Sequence, residues 1–242
     1  MAKAYRNDRF LLSPEAREIR ILSEYLEPRA RLVDAGVRHG IVFFGSARLR
    51  LGATPDYCRM AIELAERLAA WTVAQHEPGQ RYHFCTGGGP GIMQAVSEGV
   101  ARVDKHLNIG LNISLPHEQH ANPFLVPELS FDFHYFFMRK FWFANLAQAL
   151  VAFPGGYGTM DELFELLTLI QTDKIRARPI VLFGREFWDK LFNFRELVAR
   201  GLVDSTDIEM FQAVDDVDTA FEFITTRLSG KDAPSAETLE KM

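Results

Sequence analysis

A chain of 242 residues, 48% of them hydrophobic, is near the upper size for a single hydrophobic core. Its formal net charge of -5 argues against a nucleic-acid or anionic-membrane partner, which needs clustered positive charge, whereas a small anionic ligand needs only a local basic pocket. Cys58 and Cys85 each lie in an apolar pattern and read as reduced core thiols, and no apolar run has signal-peptide or membrane-span length, so the cytoplasm is the expected compartment.

From Ser13 to about Arg38 apolar residues recur at helical spacing (Ile19, Leu22, Leu26), and Ser13-Pro14 is a good helix start, so residues 1–38 read as a helical amino-terminal arm. Ile41-Val42-Phe43-Phe44 then runs into Gly45-Ser46, the profile of a strand buried on both faces that opens into a tight turn. The unit recurs: helix Asp56 to Trp71, strand Tyr82 to Thr86, helix Pro90 to Val103, strand Ile109 to Leu115. A proline-rich loop, Pro116 to Pro127, interrupts it. Helix Tyr135 to Ala147, strand Ala149 to Phe153, helix Thr159 to Ile170, strand Pro179 to Phe183, a helix through Ala199 and another from Val217 to Leu228 follow. Strands alternating with amphipathic helices predict an α/β, Rossmann-like, doubly wound parallel sheet over residues 39–228; residues 229–242 have little to bury and read as a mobile tail.

The strongest local signal is Ala149-Leu150-Val151-Ala152-Phe153-Pro154-Gly155-Gly156-Tyr157-Gly158-Thr159. A phosphate at a helix start needs free backbone N–H groups, glycine for close approach and often a hydroxyl, and this strand–turn–helix supplies all three at Gly155, Gly156, Gly158 and Thr159. Glycine-rich connections also occur for steric reasons alone. Two further turns of this kind, at Gly45-Ser46 and Thr86-Gly87-Gly88-Gly89-Pro90-Gly91, favour a shared ligand site at one sheet edge. Neither G-x-G-x-x-G nor a Gly-Lys-Ser/Thr ending is present, which weakens dinucleotide and ATP-hydrolysis readings.

Arg139 and Lys140 interrupt the aromatic-rich segment Tyr135 to Phe143, and cations there want an anion. They read as a ligand cradle facing the Gly155 turn, as the wet edge of an amphipathic helix, or as partners of a carboxylate elsewhere in the chain. Glu162 lies one helical turn beyond Thr159 and points to the ligand mouth, although a helix-start acid is also favoured there by the macrodipole. Asp161 and Glu165, on the same helix, should face elsewhere.

Phe43-Phe44-Gly45-Ser46-Ala47-Arg48, Thr86 to Met93, Arg139-Lys140 and Pro154 to Glu162 together resemble, in matching order, the LONELY GUY (LOG) family of cytokinin riboside 5′-monophosphate phosphoribohydrolases, often labelled "lysine decarboxylase". The resemblance implies a Rossmann-like homodimer or higher homo-oligomer that hydrolyses the N-glycosidic bond of a nucleoside 5′-monophosphate such as AMP. It also implies Arg139 and Glu162 as the catalytic pair. Lys140 and the 155–159 turn would hold the nucleotide, with Gly45, Ser46, Gly88 and Gly89 as further substrate contacts. The second turn, one residue shorter than in plant-type members, and Gln94 in place of a glutamate common in longer relatives depart from the pattern.

Such hydrolysis needs no cofactor and no metal. His117-Glu118-Gln119-His120 is not H-E-x-x-H and reads as part of a lid over the base. Two rival functions share the fold: a carrier of a nucleotide or phosphorylated cofactor without turnover, and a pyridoxal-phosphate decarboxylase. The latter needs a Schiff-base lysine, which nothing around Lys140 or Lys174 marks.

Overall fold

The computed structural model describes residues 3–114 and 122–230. The chain begins with the helical turn α1 (Asp8–Leu11) and the helix α2 (Arg17–Asp34), followed by β1 (His39–Phe44), α3 (Tyr57–Gln75), β2 (Tyr82–Thr86), α4 (Ile92–Asp104) and β3 (Asn108–Ile113). It continues through β4 (Ser130–Phe133), α5 (Phe136–Leu146), β5 (Ala147–Ala152), α6 (Tyr157–Gln171), β6 (Ile180–Phe183), α7 (Arg185–Leu191), α8 (Phe194–Ala199), β7 (Phe211–Val214) and α9 (Val217–Ser229). Among the described residues the strands form one seven-stranded sheet, ordered β4-β3-β2-β1-β5-β6-β7 with every pairing parallel.

The central strands are buried on both faces, as their unbroken apolar runs require. Successive side chains alternate between two cores. Ile41 and Phe43 of β1 and Val151 of β5 face α3, α4 and α9; Val42 and Phe44 of β1 and Leu150 of β5 face α5, α6 and α7. The chain runs outward from β1 to β4, returns to place β5 on the other side of β1, and runs outward again. The carboxyl ends of β1 and β5 therefore flank the switch point, where open α/β sheets hold their ligands.

Two strands, β4 and β7, lie outside the sequence reading; each is four residues long at a sheet edge. The helix expected through Ala199 is two helices. Its break falls at Phe192-Asn193, where the Asn193 side chain accepts the Glu196 N–H and starts α8 anew. His117 to His120, and residues 231–242 of the expected tail, lie outside the described residues.

The arm helix docks on the sheet face that carries α5. Both Glu24 carboxylate oxygens accept backbone N–H groups at the start of α5, from His134 at 2.8 Å and Tyr135 at 3.2 Å. Trp142 Nε1 returns a bond to the Glu24 carbonyl at 2.9 Å. A carboxylate at this end also opposes the helix dipole favourably. Arg31 Nη2 donates to the carbonyls of Pro127, Glu128 and Ser130. The stripe Ile19, Leu22 and Leu26 does not make this contact: those side chains remain 45%, 54% and 47% exposed. Ala16, Pro28 and Leu32 are buried in their place.

Candidate active site

Three turns meet at the switch point through backbone hydrogen bonds. Phe153 N–H donates to the Phe44 carbonyl at 2.8 Å, Ser46 N–H to the Pro154 carbonyl at 3.0 Å, and Ile92 N–H to the Ser46 carbonyl at 3.2 Å. The turn after β1 is thus clamped between those after β2 and β5. Gly91 makes the fit possible, with φ 69° and its α-carbon so close to the Ser46 and Ala47 backbone that a side chain would collide. At Gly155 a β-carbon would overlap the Thr159 hydroxyl, so glycine lets that buried hydroxyl fold back on the turn.

A cavity of about 660 Å³ opens above this junction. The turn after β1 contributes Gly45, Ser46 and Arg48; the turn after β2 contributes Gly87. The start of α6 contributes Gly156, Tyr157, Gly158 and Thr159; the first-turn N–H groups of a helix have no partner within it, an arrangement suited to an anion. Arg139 enters from α5 and Glu162 from the second turn of α6.

Arg139 is held by its own helix. Its guanidinium lies 5.1 Å from the Phe136 ring centroid and 5.8 Å from that of Phe143, and an ideal β-carbon on Gly87 would lie 3.9 Å from one of its terminal nitrogens. Glu162 is 4% exposed. Burial pushes its carboxyl up to about 7 against the pull of Arg139 and Lys140, while Glu165 and Asp161 add to the rise. Cys85, at the end of β2, lies within electrostatic reach of both site groups: burial drives its thiol well up, Glu162 adds, and Arg139 opposes. A buried carboxyl lifted to about 7, lining the same cavity as a guanidinium, is suited to stabilising positive charge or accepting a proton.

The cavity brings together Gly45, Ser46, Arg139, Gly156, Gly158, Thr159 and Glu162 of the residues expected from sequence. Gly88, Gly89, Lys140 and Gly155 are not among its lining residues. Gly88 is buried against Asn112 of β3. Lys140 Nζ donates to Asp161 Oδ1 at 2.9 Å and lies 3.1 Å from Glu165 Oε2, the latter an ion pair without hydrogen-bond alignment. Asp161 and Glu165, four apart on α6, share the face next to that of Glu162.

Among the lining residues that the sequence reading does not single out as site residues are Arg48, Met93 and Leu191. Arg48 sits in the quoted Phe43 to Arg48 motif, so a charged residue just past a glycine turn was the available signal. Met93 follows the second turn, while Leu191 arrives from the far end of α7 with no local signal. From sequence, Phe124, Phe136, Met138 and Trp142 fit either a base contact or the core, with the core the better reading; Met138 and Trp142 are core, Phe124 is partly buried and not among the lining residues, and Phe136 lines the cavity and is 53% exposed.

A parallel α/β sheet with an open helix start and an Arg–Glu pair lining a cavity at its switch point has the architecture of α/β proteins that hold small molecules at the carboxyl edge of the sheet. Residues 93–224 match the family model described as "Possible lysine decarboxylase". The chain belongs to this family, whose curated members include the LOG phosphoribohydrolases. It is 27% identical over 201 residues to cytokinin riboside 5′-monophosphate phosphoribohydrolase LOG7 of Arabidopsis thaliana, covering 77% of this chain and 85% of that one. It is 31% identical over 170 residues to LOG1 of the same plant, covering 68% and 72%. A solved molybdenum cofactor binding protein from Rippkaea orientalis shares the fold, with a TM-score of 0.50 at 15% identity over 78% of this chain and 96% of that one.

Proposed function

We propose that the chain hydrolyses the N-glycosidic bond of a nucleoside 5′-monophosphate, AMP or a cytokinin riboside monophosphate, to free base and ribose 5-phosphate. The observation that carries this is the convergence of Arg139, Glu162 and the open amino end of α6 on one cavity. Names of the LOG relatives support the same chemistry. The phosphate sits on the first-turn N–H groups of α6, and its binding energy orients the ribose at a distance from the reacting bond.

As the C1′–N bond breaks, its electron pair leaves with the base and positive charge builds on the ribose ring. Ionised Glu162 stabilises that charge and takes a proton from the water that attacks C1′; a proton from solvent completes the departing base. Arg139 favours the charged form of Glu162 against the effect of burial and orients the substrate. Gly45 and Ser46 border the ribose, and Phe136 and Met160 offer apolar surface to the base.

The decarboxylase suggested by the family model's description lacks support from the lysine beside the site. Lys140 does not line the cavity, and although burial pulls its ammonium down, the Asp161 and Glu165 partners leave it raised, the opposite of what a Schiff-base lysine requires. The test is incubation of the purified protein with a panel of nucleoside 5′-monophosphates followed by chromatography. Free base and ribose 5-phosphate in equal amounts are expected; tight binding of a monophosphate with no base released would refute the hydrolase.

The reading includes a cytoplasmic homo-oligomer. No helix among the described residues is long and apolar enough to cross a membrane, and Cys58 and Cys85 are buried free thiols. The exposed Ile19, Leu22 and Leu26 stripe of α2 is the surface that supports self-association. Light scattering should give a mass of at least twice the 27.5 kDa chain, and Leu22→Glu with Leu26→Glu should return it to one chain; a monomeric parent would exclude the oligomer.

A further inference from the structure

We infer that Lys140 is a positioning residue: its bridges to Asp161 and Glu165 set the spacing of α5 and α6, and thereby the meeting of Arg139 and Glu162, without contact to substrate. The inference deepens the hydrolase reading and rests on it. Its geometry is simple. Lys140 directly follows Arg139 on α5, and Asp161 directly precedes Glu162 on α6. Adjacent residues on a helix lie at nearly the same height and about 100° apart, so the ion pair joins the faces beside those that carry the catalytic pair.

Few backbone positions of α5 and α6 approach each other directly, so a bridge between their side chains carries weight in fixing their separation. The Lys140 side chain is 20% exposed and Glu165 32%, which shields the bridge from solvent; Asp161, at 59%, forms its wet end. One ammonium serves two carboxylates.

The bridge also shapes the charge around Glu162. The groups facing that carboxyl are Arg139 and Lys140 from α5, Asp161 and Glu165 from its own helix, and Cys85 from β2. Removing the Lys140 ammonium takes away one cation and leaves two carboxylates unneutralised. Both changes favour protonated Glu162, so the acid limb of the rate profile moves to higher pH.

The experiment compares the parent with K140M, K140R and the D161N/E165Q double variant, each checked for cooperative melting. In K140M we expect kcat for AMP to fall about 10- to 100-fold with KM changed by less than about twofold, because misplacement of the catalytic pair costs rate without removing a ligand contact. The acid limb of K140M rises, K140R restores most of the rate, and D161N/E165Q loses kcat as K140M does. A tenfold rise in KM with kcat retained in K140M, or a D161N/E165Q variant as fast as the parent, would overturn the inference, since a lysine that binds phosphate is freed by losing its partners. A crystal structure of K140M reads the same point without turnover. Displaced Arg139 and Glu162 side chains are expected, and an unmoved pair would count against the bridge even if the parent proved to be no hydrolase.

Discussion

Glu162→Gln is expected to lose at least about 10³-fold in kcat for release of base from a nucleoside monophosphate, some 4 kcal/mol of transition-state stabilisation. Glutamine fills the same space but can neither stabilise the ribosyl cation by charge nor accept a proton. In the parent, activity should rise with pH through about 7 as Glu162 ionises, because burial has lifted its carboxyl to that value. The stability effect has the opposite sign. A carboxyl held higher in the folded than in the unfolded state favours folding fully below the ordinary glutamate value of 4.5, and that contribution is lost as pH rises through about 7. The charged site therefore costs on the order of 3 kcal/mol above neutrality, and the glutamine variant should melt several degrees higher than the parent at pH 8. An inactive variant that is also more stable would mark Glu162 as a group kept for chemistry. Full turnover in the folded variant would remove it from the mechanism.

Arg139→Met should lower kcat/KM about 10²- to 10³-fold at pH 7, and the loss should shrink as pH is raised. Methionine keeps much of the packing against Phe136 and Phe143 but removes the cation that opposes the burial-driven rise of Glu162. The acid limb of the profile therefore moves to higher pH, whereas loss of a purely structural arginine would lower activity equally at all pH values. A profile of unchanged shape, measured as kcat/KM from pH 5 to 9, would separate Arg139 from Glu162.

The central sheet was legible because its inner strands are buried on both faces and so read as unbroken apolar runs bounded by glycine turns, as at Ile41 to Phe44. The edges were not. Ser130–Phe133 alternates exposed and buried residues over only four positions after a proline-rich loop, and Phe211–Val214 is equally brief, too short for periodicity to declare itself. In the arm, spacing identified the helix but not its buried side. Ile19, Leu22 and Leu26 form one apolar stripe, yet the docked side is the neighbouring one, Ile21, Tyr25, Pro28 and Leu32 at the same helical spacing, with Glu24 bonded to the start of α5 and Arg31 to three carbonyls beside it; two apolar stripes on one helix leave the choice between them to packing.

At the site, residues carried by a turn or by the first turns of a helix could be read from the chain, since strand–glycine–helix order dictates where Gly156, Gly158, Thr159 and Glu162 go. Lys140 could not. Sequence left open a ligand cradle, a wet helix edge or a carboxylate partner, and its observed ion pairs with Asp161 and Glu165 depend on the angle between two helices. Leu191 likewise reaches the cavity through the packing of α7, more than 25 residues beyond Glu162 in the chain.

The most direct measurement is a crystal structure of the Glu162→Gln protein soaked with AMP. The phosphate should rest on the backbone amides of Tyr157 to Thr159, with the anomeric carbon turned to residue 162 and the guanidinium of Arg139 against the nucleotide. A nucleotide bound elsewhere, or one whose ribose faces away from both side chains, would contradict the account.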